Sequence, residues 1–169
     1  PYPIGSGDPI SQWTAGNPHR INLGRIALRM PLADGRPVTP DDLKFPRQTL
    51  DLWQGLLTSR FEIEGARVIV ETCAHPLLDA VAVRIHSPLV AAGRLRVELA
   101  FPYPDLNEFG GHGVWNKPEA HQTTMLSVAG RADFKRQIDG DSYNVGLAWT
   151  SSRLSRNKGE VLSETQPHH

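Results

Sequence analysis

Short runs in which apolar and polar positions alternate recur along this chain, each closed by glycine, proline or acidic turn residues. Ile26-Ala27-Leu28-Arg29-Met30 has the period-two pattern of a strand. Residues 33–46 hold Asp34-Gly35 and three prolines, and read as a loop. Ala80-Val81-Ala82-Val83-Arg84-Ile85-His86 is a further strand, closed by Ser87-Pro88. Leu95, Val97, Leu99 and Phe101 alternate inward along another, stopped by Pro102-Tyr103-Pro104. Residues 105–119 form a long loop rich in glycine and asparagine. Residues 123–128 are strand-like, and residues 133–138 and 143–150 flank Asp139-Gly140-Asp141-Ser142 as a hairpin.

The segment from Leu50 to Ile63 fits two periods. As a helix, Leu50, Trp53, Leu57 and Phe61 share a face. As a strand, Leu50, Leu52 and Leu56 lie on one side and Trp53, Leu57 and Phe61 on the other. Two features favour the strand. Gly55 would cost a helix about 1 kcal/mol relative to alanine. Phe61-Glu62-Ile63 also runs through Glu64-Gly65 into Arg67-Val68-Ile69-Val70-Glu71, a hairpin with a glycine turn. The expectation is one long strand, bulged at Gly55. Roughly eight short strands without a long helix predict an all-β chain, an antiparallel β-sandwich.

Length sets the scale: 169 residues suffice for one domain with a core. The expected layout is an extended lead-in over residues 1–18, a sandwich over 19–150 and a polar tail over 151–169, with Trp13, Trp53 and Trp149 as core or interface residues. Eighteen basic side chains balance 18 acidic ones, so the basic excess of a nucleic-acid binder is missing. No apolar window is long enough to span a membrane. No nucleic acid and no membrane are expected as partners. One cysteine, Cys73, leaves no internal disulfide and leaves the compartment open. The start at Pro1-Tyr2, without methionine or signal peptide, suggests a piece of a larger or processed protein; export to a secreted or periplasmic location stays compatible with it.

The chemistry-bearing residues make weak patterns. Seven histidines show no metal-ligand spacing, and no metal or other cofactor is expected. Cys73 and His75, two residues apart on a strand, point the same way but stand roughly 6–7 Å apart, so a dyad is disfavoured. Gly110-Gly111-His112-Gly113 lacks the lysine and helix of a phosphate loop. Asp105, Glu108 and Glu119 could pair across about 5–9.5 Å for glycosidic acid–base work, but a chain with 18 acids yields such a trio by chance. The loop from His112 to His121 is the best binding candidate. Trp115 could stack on a sugar ring, while His112, Asn116, Lys117, Glu119 and His121 offer hydroxyl partners; the competing reading folds Trp115 back as a lid.

Four segments resemble six-hairpin-glycosidase-like proteins. Asn17-Pro18-His19-Arg20-Ile21-Asn22-Leu23-Gly24-Arg25-Ile26 is similar to their N-P-H/Q-R-x-x-L-G-x-I-G element, with Ala27 departing from the expected glycine. Gln48-Thr49-Leu50-Asp51-Leu52-Trp53-Gln54-Gly55 resembles Q-x-L-D-L-W-x-G. Phe101-Pro102-Tyr103-Pro104 resembles F-P-Y-P. Trp115-Asn116-Lys117-Pro118-Glu119-Ala120-His121-Gln122-Thr123 resembles W-x-x-P-x-x-H-x-T. The resemblance implies the supersandwich-like N-terminal β-sandwich of a bacterial glycoside hydrolase, itself an incomplete portion. It would be non-catalytic, with the catalytic carboxylates on a helical barrel of the same protein as its partner and a carbohydrate ligand at the 112–121 loop. The alternatives are a free-standing carbohydrate-binding module, a protein-interaction β-sandwich module, and a compact hydrolase.

Overall fold

The computed structural model describes residues 9–10, 22–104 and 113–150. The fold is all-β and sandwich-like, as the alternation predicts. Among the described residues the strands are β1 (Arg25–Arg29), β2 (Lys44–Asp51), β3 (Leu56–Ile63), β4 (Ala66–Ala74), β5 (Val81–His86), β6 (Arg96–Ala100), β7 (His121–Val128), β8 (Arg131–Ile138) and β9 (Asp141–Ala148). They form a four-stranded sheet in the order β2-β3-β4-β5, a three-stranded sheet β7-β8-β9 and a pair β1-β6. All pairings in the two larger sheets are antiparallel. No described helix is long and apolar enough to cross a membrane.

The described chain divides into two compact units, residues 27–98 and residues 22–26 with 99–104 and 113–150. In the first, β3 and β4 meet at Glu64-Gly65, where both residues take positive φ (48° and 77°), the geometry of a two-residue hairpin loop. Ile63 and Val68 beside that turn are fully buried, and Leu32 and Leu89 nearly so. Leu89 belongs to α1 (Pro88–Ala91), one turn that follows β5 and packs on β4. Ser87 caps it by accepting from the Leu89 N–H at 3.2 Å, and Pro88 sits where a helix start needs no N–H. Glu64 takes the Ala33 N–H with both oxygens (3.1 and 3.2 Å) and pairs with Arg94, which ties the 31–36 loop to the turn.

The segment from Leu50 to Ile63 is not one bulged strand. It holds a second hairpin: β2 ends at Asp51, residues 52–55 turn, and β3 begins at Leu56. Asp51 Oδ1 accepts the N–H groups of Trp53 and Gln54 at 2.9 and 3.0 Å, and Gly55 closes the loop at φ 63°. The glycine therefore marks a chain reversal. Trp53 lies at the tip, 97% exposed, and so is not a core residue. Trp149 is half-buried beside Gly130, while Trp13 lies outside the described residues. The irregularity of the sheet falls earlier, between Lys44 and Arg47, where Phe45 takes φ 51° and Pro46 sits on an edge strand.

In the second unit, Ala132, Phe134, Arg136 and Ile138 alternate inward along β8, all buried. Phe101 packs its ring on Phe134 with centroids 5.6 Å apart. Tyr103 bridges to Val114, joining the chain on either side of residues 105–112.

Candidate functional site

Arg136 holds an inward position on the central strand of the three-stranded sheet, between Thr123 on β7 and Tyr143 on β9. It is the largest fully buried side chain among the described residues. Its guanidinium donates to the Gln122 carbonyl at 3.2 Å, the Thr123 hydroxyl at 2.5 Å and the Pro102 carbonyl at 3.3 Å. It also meets His121 Nδ1 at 2.8 Å and the Tyr143 hydroxyl at 3.5 Å, and lies over the Phe101 ring at 4.8 Å. A guanidinium cannot accept, so His121 Nδ1 is the acceptor and the neutral imidazole carries its proton on Nε2.

His121 therefore belongs to a network. Its ring stacks on Tyr103 with centroids 6.4 Å apart and planes 17° apart, and the Tyr103 hydroxyl donates to Asp139 at 3.0 Å. Burial and the Arg136 charge push the His121 pKa down, against Glu119, which pulls it up. The bond to Asp139 pushes the Tyr103 pKa up, with burial adding to it. Beside the ring, Glu119, Ala120, Gln122, Gln137 and Asp139 line a surface recess. It presents amides, carboxylates and the imidazole edge, groups suited to hydroxyl partners.

The structure brings some expected loop residues together and separates others. Glu119 and His121 share the recess. Asn116 and Lys117 are exposed, and Lys117 precedes a 3₁₀ turn, Pro118–Ala120. Trp115 is 37% exposed, and the Arg25 guanidinium lies 4.5 Å from its ring centroid. One face of that ring thus carries a cation where a sugar platform would present an open surface. His112, with Asp105 and Glu108 of the suggested acid trio, lies outside the described residues.

The other candidate groups have structural partners. His75 Nδ1 accepts the N–H groups of Leu77 and Leu78, both at 3.1 Å, so this nitrogen is engaged away from Cys73. Asp42 takes a bidentate Arg36 at 2.8 and 2.7 Å together with the Thr39 N–H, and its carboxyl is held well below the usual range. Glu64 is held down mainly by Arg94, and Asp133 by Arg131. Acids so stabilised as anions are poor proton donors near neutral pH. Among the described residues no three His, Cys, Asp or Glu side chains are placed to hold a metal ion.

Arg136, Tyr143 and Asp139 were not singled out as site residues from the sequence. The legible signal was the alternation Ala132, Phe134, Arg136, Ile138, which puts arginine in register with three apolar residues. Compared with family models, curated proteins and solved structures, the chain matches none.

Proposed function

We propose that this chain is a non-catalytic β-sandwich portion of a carbohydrate-active enzyme of the glycoside-hydrolase type, and that it supports a helical catalytic barrel elsewhere in the same protein. One observation carries the reading. Two segments that bear the resemblance, Phe101–Pro104 and Trp115–Thr123, meet at a single buried guanidinium. Phe101 lies under it, Pro102 and Gln122 supply carbonyls, and Thr123 and His121 supply side-chain acceptors. Residues used in this way are a framework: they hold a sheet and a loop together. Asp42, Glu64, Asp133 and Asp139 act likewise, as partners of arginines and of Tyr103.

The test is turnover. The chain alone, offered a panel of chromogenic glycosides, releases no product, and any turnover abolished by acid-to-amide substitution within it overturns the proposal. Extending the reading frame past His169 is the companion test, with helical hairpins bearing catalytic acids as the expected result. Oligosaccharide titration followed by tryptophan fluorescence separates off the binding-module reading. A saturable change lost in Trp115→Ala would favour that reading; the Arg25 stacked on the ring leads us to expect none.

A further inference from the structure

The four-stranded sheet ends in two unlike edges. β2 is a poor template for another strand. Its register slips between Lys44 and Arg47, Phe45 takes φ 51°, and Pro46 has no N–H to offer. Bulges, prolines and lysines are the usual means of blunting an edge. β5 has no slip and no proline: every residue from Val81 to His86 pairs with β4 in one register. Its one arginine, Arg84, is held by Glu71 on β4 at 3.4 Å. Among the described residues no strand pairs with the outer side of β5.

The pairing fixes which backbone groups lie on that side. The His75 N–H donates to the Ala80 carbonyl at 2.8 Å, in line with the β4–β5 register, so these two residues form a hydrogen-bonded pair. Bonded and non-bonded pairs alternate along an antiparallel ladder. Ala82, Arg84 and His86 therefore direct their backbone groups to β4, and Val81, Val83 and Ile85 turn theirs outward. The same three residues carry their side chains on the apolar side of the sheet, where Val81 and Val83 are exposed.

An antiparallel copy of β5 matches this edge best in one register. With Val83 opposite the partner's Val83, Val81 lies opposite the partner's Ile85, and every outward N–H and carbonyl of both strands finds its counterpart. The apolar row runs unbroken across the seam. On the other side Arg84 stands across from the partner's Ala82 and stays on its own Glu71. Centring on Arg84 would set two arginines directly opposite, which is destabilising. Centring on Ala82 would leave the Ile85 groups beyond the end of the partner strand. We propose that a second copy of this chain docks on β5, edge to edge about a twofold axis at Val83, so that two four-stranded sheets join into one. Main-chain bonds hold the pair and the Val81, Val83 and Ile85 row sets its register. Zero net charge leaves the copies without long-range repulsion. A single strand edge is a small interface, so the association is reversible and concentration-dependent.

Sedimentation equilibrium over a concentration series up to about 1 mM is expected to show monomer passing into dimer. Hydrogen exchange reads the edge directly. The Val81, Val83 and Ile85 amides gain protection as concentration rises, while those of Ala82, Arg84 and His86 are protected at every concentration. Val83→Pro removes an outward N–H without touching the β4 ladder, and leaves a monomer with an unchanged far-UV spectrum. Where proline disturbs the fold, charge at the axis replaces it as the test. Val83→Lys and Val83→Glu each place like charges opposite one another and are monomeric, whereas an equal mixture of the two dimerises. A parent chain still monomeric at about 1 mM overturns the proposal. So do edge amides whose protection ignores concentration, association that persists in Val83→Lys alone, or a mixture no more associated than its components.

Discussion

Arg136 keeps a full positive charge out of water with neutral partners: two carbonyls, two hydroxyls, an imidazole nitrogen and an aromatic face. Each of those acceptors is satisfied by the same side chain, so truncation orphans several of them at once. A lone unsatisfied buried acceptor costs about 1–3 kcal/mol, and breaking up a buried charged network about 3–5 kcal/mol. Arg136→Ala is expected to lose about 3–5 kcal/mol in urea unfolding. Arg136→Lys recovers only part of this, because an ammonium cannot fork between Pro102 and Thr123. His121 adds a pH dependence. Its folded pKa lies below the usual 6.5, so in the interval between the two values the unfolded chain binds more protons. Its contribution is complete above pH 6.5 and is lost as pH falls toward the folded value. The urea midpoint of the parent chain should drop between pH 7.5 and 5.5 by more than that of His121→Gln, and equal drops would remove His121 from the network.

Glycines at two element junctions separate conformational strain from steric crowding. A Cβ on Gly113 would stand 2.5 Å from Pro102 Cβ and 2.6 Å from its Cγ, with φ at 77°. Gly55 has φ 63° and open space around it. Alanine at Gly55 meets only the left-handed penalty, about 1–2 kcal/mol. Alanine at Gly113 meets that penalty and a clash with a buried proline, so Gly113→Ala should lower the melting temperature clearly more than Gly55→Ala. The same junctions show what the sequence could tell. Glu64-Gly65 and Asp139-Gly140 were legible as turns because each is bracketed by clean alternation. The reversal at residues 52–55 was not, because apolar Leu52 and Trp53 lie inside the turn itself and carry the apolar pattern from Leu50 on to Leu56 and Leu57. The deciding interaction, one Asp51 oxygen taking two N–H groups, is a three-residue event that periodicity averages away. The Arg136 cluster was half legible for a similar reason. Its contributors, Pro102, His121, Thr123 and Tyr143, are spread along the chain, and only pairing register makes them neighbours.

At the scale of the molecule, the notable feature is how unevenly one sheet is covered. Paired residues share a face, so Leu50, Leu57, Val70, Thr72, Val81, Val83 and Ile85 lie on the same side of the four-stranded sheet as the buried Ile63 and Val68. The opposite side carries Arg47, Arg60, Arg67, Glu71 and Arg84. The apolar side is buried near the Glu64-Gly65 turn and open at the other end, where Leu50, Val81 and Val83 are 54%, 60% and 44% exposed. Leu52, Trp53, Leu77 and Leu78 extend from that same end, all well exposed. Zero net charge supplies no long-range repulsion between copies. The chain should therefore bind a hydrophobic dye such as ANS in its native state, with near-UV signals intact, which distinguishes this surface from a loosened core. Replacing Leu50, Val81 and Val83 together by threonine keeps strand-forming shapes while making the open end polar. Because these side chains contribute little to the buried core, thermal stability should change by no more than about 1 kcal/mol while dye fluorescence falls severalfold. Undiminished dye binding in the triple variant would mean that the apolar surface lies elsewhere, and a cooperative loss of fold would mean that this end of the sheet is packed rather than open.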